Sequence, residues 1–325
     1  EVQLIENGRC MAFDRATTWS VIERAEPGGS HVPGLLPTYL GGAAAEAVDR
    51  ACGVWWAHRV FSLLGLLAAT GFCLLWLRRK GFALPVACGV ALLFCTDVHL
   101  TKSAHFYRPD AWALAMAFAT ALAVDAMGRR PGRPSPAALV VLGFALAAQV
   151  LFWFSAVFGL LLVAAELVLL AKRQAWPWRD ALARTACVAA GGAAALLALL
   201  IVPFWRELPA FALFFLRHPD MRALQAAGEA RAGIGSVVAG HVRDLAILLA
   251  RAPFLWALAL AGVAVAFRRQ RVFGGLLVGG LLFLLATRAY CFRIVYFLPL
   301  AAFFAAAAWS EAARRAAGRP LARAA

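Results

Sequence analysis

Long apolar runs separated by short basic connectors set the pattern of this chain. Nine runs of 16 or more largely apolar residues recur, at about 57–77, 82–98, 111–127, 137–153, 156–171, 186–204, 245–267, 272–287 and 294–310. A bilayer core needs roughly 20 residues at 1.5 Å rise each, so the shorter runs approach that length without filling it. Burying so many apolar helices in a soluble core would require polar helices to cover them, and the chain offers none. The pattern therefore predicts an all-α polytopic membrane protein with about nine transmembrane helices. Residues 1–56 form a first external segment with short amphipathic helices, and 57–204 form the first transmembrane block. An external loop follows at 205–244, then a second transmembrane block at 245–310 and a basic tail at 311–325.

Composition sharpens this picture. Of 325 residues 63% are hydrophobic and 15% charged, and mean hydropathy is +0.76, which excludes a disordered chain. The net charge of +15 fits either nucleic-acid binding or a topology signal, and its distribution decides between them. Arg78–Lys80, Arg129, Arg130, Arg133, Lys172, Arg173, Arg179, Arg184, Arg268, Arg269, Arg271 and the tail arginines 314, 315, 319 and 323 make 17 basic residues, beside Asp180 and Glu311. If the spans alternate, all of these lie on one side. The remainder of the chain carries 15 basic and 15 acidic residues, so the whole excess sits on one face. That is the positive-inside pattern of a cytoplasmic side, and nucleic acid is not needed as a partner. Residues 1–56 then start outside with no signal peptide before them, which predicts that one or more spans precede Glu1.

The seven cysteines are scattered without a CxxC or Cys/His cluster, which argues against a zinc site and leaves only a Cys10–Cys52 bridge open. Polar residues set against the apolar trend mark where function lies. The external segment holds Asp14, Glu23, Glu26, His31, Glu46 and Asp49. Residues 14–25 read as a short helix that Asp14 can cap, with Trp19, Val21 and Ile22 on an apolar side suited to a membrane surface. Two roles are open to Asp14 on pattern alone, a helix cap and a catalytic acid. Lys102, Arg108, Arg288 and Arg293 stand at outer span ends, where cations either bind phosphate or snorkel to headgroups. His105 and Tyr107 add donors beside them. Asp110 reads as a helix-start charge and Arg59 as an inter-helix contact. Asp97 and His99 close the second span within reach of Lys102 or Arg108, while Asp125 and Glu166 fall near the cytoplasmic ends, away from external chemistry.

The order of features resembles the GT-C glycosyltransferases, in particular the bacterial branch of protein mannosyltransferases and the lipid A aminoarabinose transferase. An external Asp14 opens a short helix ending at Gly28-Gly29, and a Pro-rich turn, His31-Val-Pro-Gly-Leu-Leu-Pro-Thr-Tyr39, leads to a span near Arg59. His105-Phe-Tyr-Arg-Pro-Asp-Ala-Trp112 is similar to the family's external Arg-Pro segment, and Arg293-Ile-Val-Tyr-Phe-Leu-Pro299 to its Arg-Tyr-Leu-Leu-Pro segment. Two departures stand out: Arg15 occupies the place of the usual second acid, and the turn reads Pro-Gly-Leu-Leu-Pro. Glu6-Asn-Gly-Arg9 is a competing match to the catalytic acid's motif.

The resemblance implies transfer of a sugar from a polyisoprenyl-phosphate donor to a lipid, glycan or protein acceptor, on the outer side of a bacterial inner membrane. Asp14, or Glu6, would serve as the catalytic acid residue. Arg108, Lys102, His105, Tyr107, Arg288, Arg293 and Tyr296 would bind substrate and lipid phosphate, and membrane lipids would surround the spans. The resemblance fixes no cofactor and leaves a divalent cation open, although Arg15 is a poor neighbour for one. The loop 205–244 either covers substrate or lies solvated against headgroups. Two rival classes remain: a transporter or flippase for lipid-linked sugars, and a catalytically inactive GT-C-like subunit.

Overall fold

The computed structural model describes residues 44, 47–48, 50–53, 57–105, 110–130, 132–205, 234–286 and 291–318, and among these no strand occurs. Helix α1 spans Ala57–Arg79, α2 Leu84–Cys95, α3 Val98–His105 and α4 Asp110–Arg129. Next come α5 at Pro136–Phe152, a 3-10 turn at Phe154–Gly159 and α6 at Leu160–Arg173. Helix α7, Trp178–Leu196, continues through a π turn at Leu197–Ile201 to Phe204. The second block holds α8 at Ile234–Ala250, α9 at Pro253–Ala266 and α10 at Arg271–Ala286. It closes with a short α11 at Cys291–Ile294, a 3-10 turn at Val295–Phe297, and α12 at Leu298–Ala316.

Local chemistry places the boundaries. Gly81, at φ +90°, ends α1: its N–H bonds the Arg78 carbonyl, and the Phe82 N–H bonds that of Leu77. This left-handed closure favours glycine, and it turns the chain directly after Lys80. Ser135 starts α5 by accepting the Ala138 N–H at 3.2 Å, with Pro136 in the first turn, where no donor is lost. Pro253 separates α8 from α9 by denying the helix an N–H and crowding the residue before it. The two arms meet at 108°.

Among the described residues four helices are long and apolar enough to cross a bilayer: Arg59–Arg79, Asp110–Arg129, Trp178–Ile201 and Val295–Ala316. The bent pair Val238–Ala250 and Pro253–Ala266 makes a fifth if taken as one span. Leu84–Cys95, Pro136–Phe152 and Arg271–Leu285 are apolar but shorter; the first rises only about 18 Å. Each of the nine expected runs contains helix where described, with non-helical residues including 82–83, 96–97 and 251–252, and length and apolarity single out four or five candidate spans among the described residues. The run 245–267, expected to be one span, is broken at Pro253. Helix α3 is an element that the apolar pattern did not separate from its neighbours.

Around an apolar core, large apolar side chains also face the surround, while several ionisable groups are buried. Leu67 is 56% exposed and Phe254 74%, and Leu92, Val141, Leu182 and Leu282 also face outward. Asp97, His99, Asp110, Asp125, Gln149 and Glu166 are buried. Apolar outside and ionisable inside is the arrangement that a hydrocarbon surround selects. Close helix crossings rest on glycine. Gly143 on α5 lies against the Val188 carbonyl of α7, Gly191 against the Val140 carbonyl, and Gly262 on α9 against that of Phe304 on α12. Lipid supplies no hydrophobic drive between helices, so backbone approach at small residues carries much of the association. Gly191→Ala is expected to cost about 1–3 kcal/mol by forcing α5 and α7 apart. Gly192→Ala, whose added methyl meets only ordinary contacts, should leave the thermal midpoint in detergent unchanged or raised.

Candidate functional site

The contacts define two ends of the bundle. At one end the basic connectors converge: Arg129 donates to the Arg79 carbonyl, Arg133 pairs with Asp180, and Arg184 donates to the Pro134 carbonyl. At the other end the start of α4 meets α1, where Trp112 donates through Nε1 to the Phe61 carbonyl at 2.7 Å. Asp110 and Asp125 sit fifteen positions apart on α4, about 22 Å along its axis, so each end has its own carboxylate.

At the end away from the connectors, Asp110 is fully buried. Its Oδ1 accepts from Tyr296 Oη at 2.6 Å and from Trp153 Nε1 at 2.7 Å. Three elements remote in sequence thus meet at one carboxylate: the start of α4, the turn after α5, and the 3-10 turn before α12. A charge at a helix start is favoured by the free N–H groups there, and two aromatic donors satisfy it further. The reading of Asp110 as a helix-start charge is therefore incomplete. The carboxylate also fixes Tyr296, which is buried, and Arg293 lies one turn earlier on α11, half-buried.

Asp97 and His99 lie beside this group on and before α3. Asp97 Oδ1 accepts the backbone N–H groups of His99 and Leu100 at 2.9 and 3.2 Å, capping α3. His99 Nε2 donates to the Leu248 carbonyl at 2.9 Å, close to the break between α8 and α9. Arg108, one of the two expected partners, lies outside the described residues. Asp97 Oδ2 is buried with no hydrogen-bond partner among the described residues.

An apolar cavity of about 390 Å³ opens next to Tyr296, lined by Val157, Phe158, Leu161, Gly279, Phe283 and Phe297. Gly275 and Gly279 on α10 leave the space open, since no atom stands within 4 Å of where their side chains would be. The Phe158 ring lies 6.2 Å from that of Tyr296, joining the cavity to the Asp110 group.

A second ionic group ties the basic end together. Lys80 Nζ lies 2.6 Å from Glu166 Oε2 and 3.5 Å from Asp125 Oδ1, and Trp76 donates to Glu166 Oε1 at 2.7 Å. Arg129 and Arg173 reach Asp125 at 2.7 and 3.1 Å. Lys80, Asp125 and Glu166 are all buried at their side chains. Each charge has a partner, which is the condition for holding them out of water.

Of the residues singled out from sequence, Asp14, Glu6, Tyr107, Arg108 and Arg288 lie outside the described residues. His105 is the last residue of α3, and Lys102 is exposed on the same helix. Arg59 is exposed near the start of α1. Tyr296 and Arg293 are brought to the Asp110 end. Trp153 was not anticipated; a tryptophan closing an apolar run carries no signal until its partner is known. No group of three or more His, Cys, Asp or Glu residues able to hold a metal ion occurs among the described residues.

Comparison with known proteins gives no match to a family model, to a curated protein or to a solved structure. The fold and burial define a class directly: a helical protein with, among the described residues, four or five helices able to span a membrane and a few ionisable groups buried in an apolar core.

Proposed function

We propose that the chain is an integral membrane glycosyltransferase resembling the GT-C enzymes. It moves a sugar from a polyisoprenyl-phosphate carrier to a lipid, glycan or protein acceptor outside a bacterial inner membrane. One observation carries the reading. Tyr296, from the Arg293–Pro299 segment, donates to Asp110, from the His105–Trp112 segment, at 2.6 Å across 186 positions of chain. These are two of the segments on which the resemblance rests, and both stand at the end away from the basic connectors.

In this reading the basic end faces the cytoplasm. The shorter helices α2, α5, α6 and α10 share the bilayer with the longer ones, giving nine spans with α8 and α9 as one broken span. The carrier's isoprenoid chain lies in the apolar cavity beside Phe158, and its phosphate faces Arg108 and Arg293, with Lys102 and Arg288 nearby. An acceptor hydroxyl attacks the anomeric carbon as the bond to the carrier phosphate breaks. Asp14, or Glu6 in its place, takes the hydroxyl proton, and the arginines stabilise charge on the departing phosphate.

The test is transfer of labelled sugar from polyprenyl phosphate by membranes holding the full protein. Wild type is expected to transfer, Asp14→Asn to fail and Glu6→Gln to retain activity. Equal transfer by the Asp14 variant would remove that residue from the mechanism.

The broken pair α8–α9 favours a second reading, a flippase for the same lipid-linked sugars, because transporters place discontinuous helices at their substrate sites. Transbilayer movement of the labelled lipid without sugar transfer would select it.

A further inference from the structure

We propose that the basic end carries a binding site for one anionic phospholipid, in the groove between α5, α6 and α7. The groove encloses about 230 Å³. Its walls are apolar, formed by Leu139, Leu167, Val168 and Val188, and its mouth is formed by Trp176 and Arg184.

The mouth is fixed before any ligand arrives. Arg184 donates to the Pro134 carbonyl at 2.8 Å, and its guanidinium lies 4.8 Å over the Trp176 ring. Trp176 in turn donates to Gln174 Oε1 at 2.9 Å, and Gln174 donates to the Gly132 carbonyl at 3.2 Å. An arginine held by one N–H and one face keeps other donors directed outward, and a guanidinium fork suits two phosphate oxygens.

Charge identifies the occupant. The connector from Lys172 to Arg184 contains one acid, Asp180, and Arg133 already pairs with it. Lys172, Arg179 and Arg184 have no carboxylate within ion-pair distance among the described residues. A slot with apolar walls and the uncompensated Arg184 at its mouth, on a connector with net positive charge, matches an acyl chain joined to an anionic head. Basic pockets between helices at the cytoplasmic face hold anionic headgroups in this way. A purely apolar helix seated there would bury Arg184 without a counter-charge. A soluble anion would leave the walls unused. Access is lateral, since Trp178 and Leu182 on α7 are exposed to the surround. The site depends on membrane embedding and on no step of sugar transfer.

Native mass spectrometry of the full protein in detergent, titrated with phosphatidylglycerol or phosphatidylethanolamine of matched chains, tests the proposal. One phosphatidylglycerol is expected to remain bound where the ethanolamine lipid does not. Arg184→Gln is expected to weaken that binding about fivefold, the weight of one cation at an anionic interface. Val168→Trp, which fills the groove and keeps every cation, should weaken it as well, while Arg268→Gln on another connector should not. Equal retention of both lipids would overturn the site. So would undiminished phosphatidylglycerol binding by Val168→Trp, or displacement by glycerol phosphate alone.

Discussion

Replacing Glu166 by alanine is expected to destabilise the bundle by about 3–5 kcal/mol, the range for removing one partner of a buried ion pair. Glu166 accepts from Trp76 Nε1 and from Lys80 Nζ, which is 6% exposed and has only Asp125 at 3.5 Å as a further anion. The change thus strands an ammonium and an indole N–H that no water reaches easily. Asp125 offsets the charge only in part, because at 3.5 Å it lies beyond good hydrogen-bond distance from Lys80 and already neutralises Arg129 and Arg173. Glu166→Gln should cost less, since an amide oxygen can still accept from Trp76. The pair Lys80→Met/Glu166→Leu should cost less than Glu166→Ala alone, because it removes both charges and fills their space. Unfolding midpoints of the variants in one detergent check the order. An alanine variant within 1 kcal/mol of wild type would mean that water already reaches the pair.

These charges mark where sequence reading stopped. Runs of apolar residues made the helices legible, and the sorting of arginines made the two ends legible, because both are local patterns. Asp125 and Glu166 were also visible as acids inside apolar runs, but their place near the cytoplasmic ends read only as distance from external chemistry. Their burial depends on α1, α4 and α6 meeting, which no single run encodes. The break before Pro253 was written in the proline itself, yet apolar residues on both sides masked it as one span. Helix α3 was hidden for a related reason: eight residues with mixed polarity give too little periodicity to separate from α2, and Asp97 looked like an end rather than a cap.

The end away from the basic connectors was legible only as a set of segments. Arg293–Pro299 and His105–Trp112 stood out by their resemblance to family segments, and the expected ligands among them were His105, Tyr107, Arg108, Arg293 and Tyr296. Tyr296, one of these, meets Asp110 and Trp153, which the sequence did not mark as its partners. Asp110 was read through its own helix, where a first-turn acid explains itself. Only the tertiary arrangement adds the two donors that make it a junction.

That junction supplies the other large effect. Asp110→Ala is expected to cost about 2–6 kcal/mol, because it removes the carboxylate that accepts from the buried Tyr296 O–H and Trp153 N–H, at about 1–3 kcal/mol for each lost bond. Tyr296→Phe removes one donor and leaves Asp110 with Trp153, so its cost should be smaller. The two changes share an interaction, so the double variant should fall short of their sum. On the proposed reading Asp110 is a positioning residue: it holds the turn that carries Arg293 toward the lipid phosphate. Misplacing such a group by about 1 Å costs about a hundredfold in rate. Asp110→Asn preserves shape and one acceptor, and therefore separates the two roles. It should retain most of the stability that Asp110→Ala loses, while kcat for sugar transfer falls and KM for the lipid donor rises. Unchanged kcat and KM in Asp110→Asn, together with a stability loss in Asp110→Ala, would make the junction a clamp for α4, α5 and α12 alone. Transfer would then depend on groups other than this carboxylate.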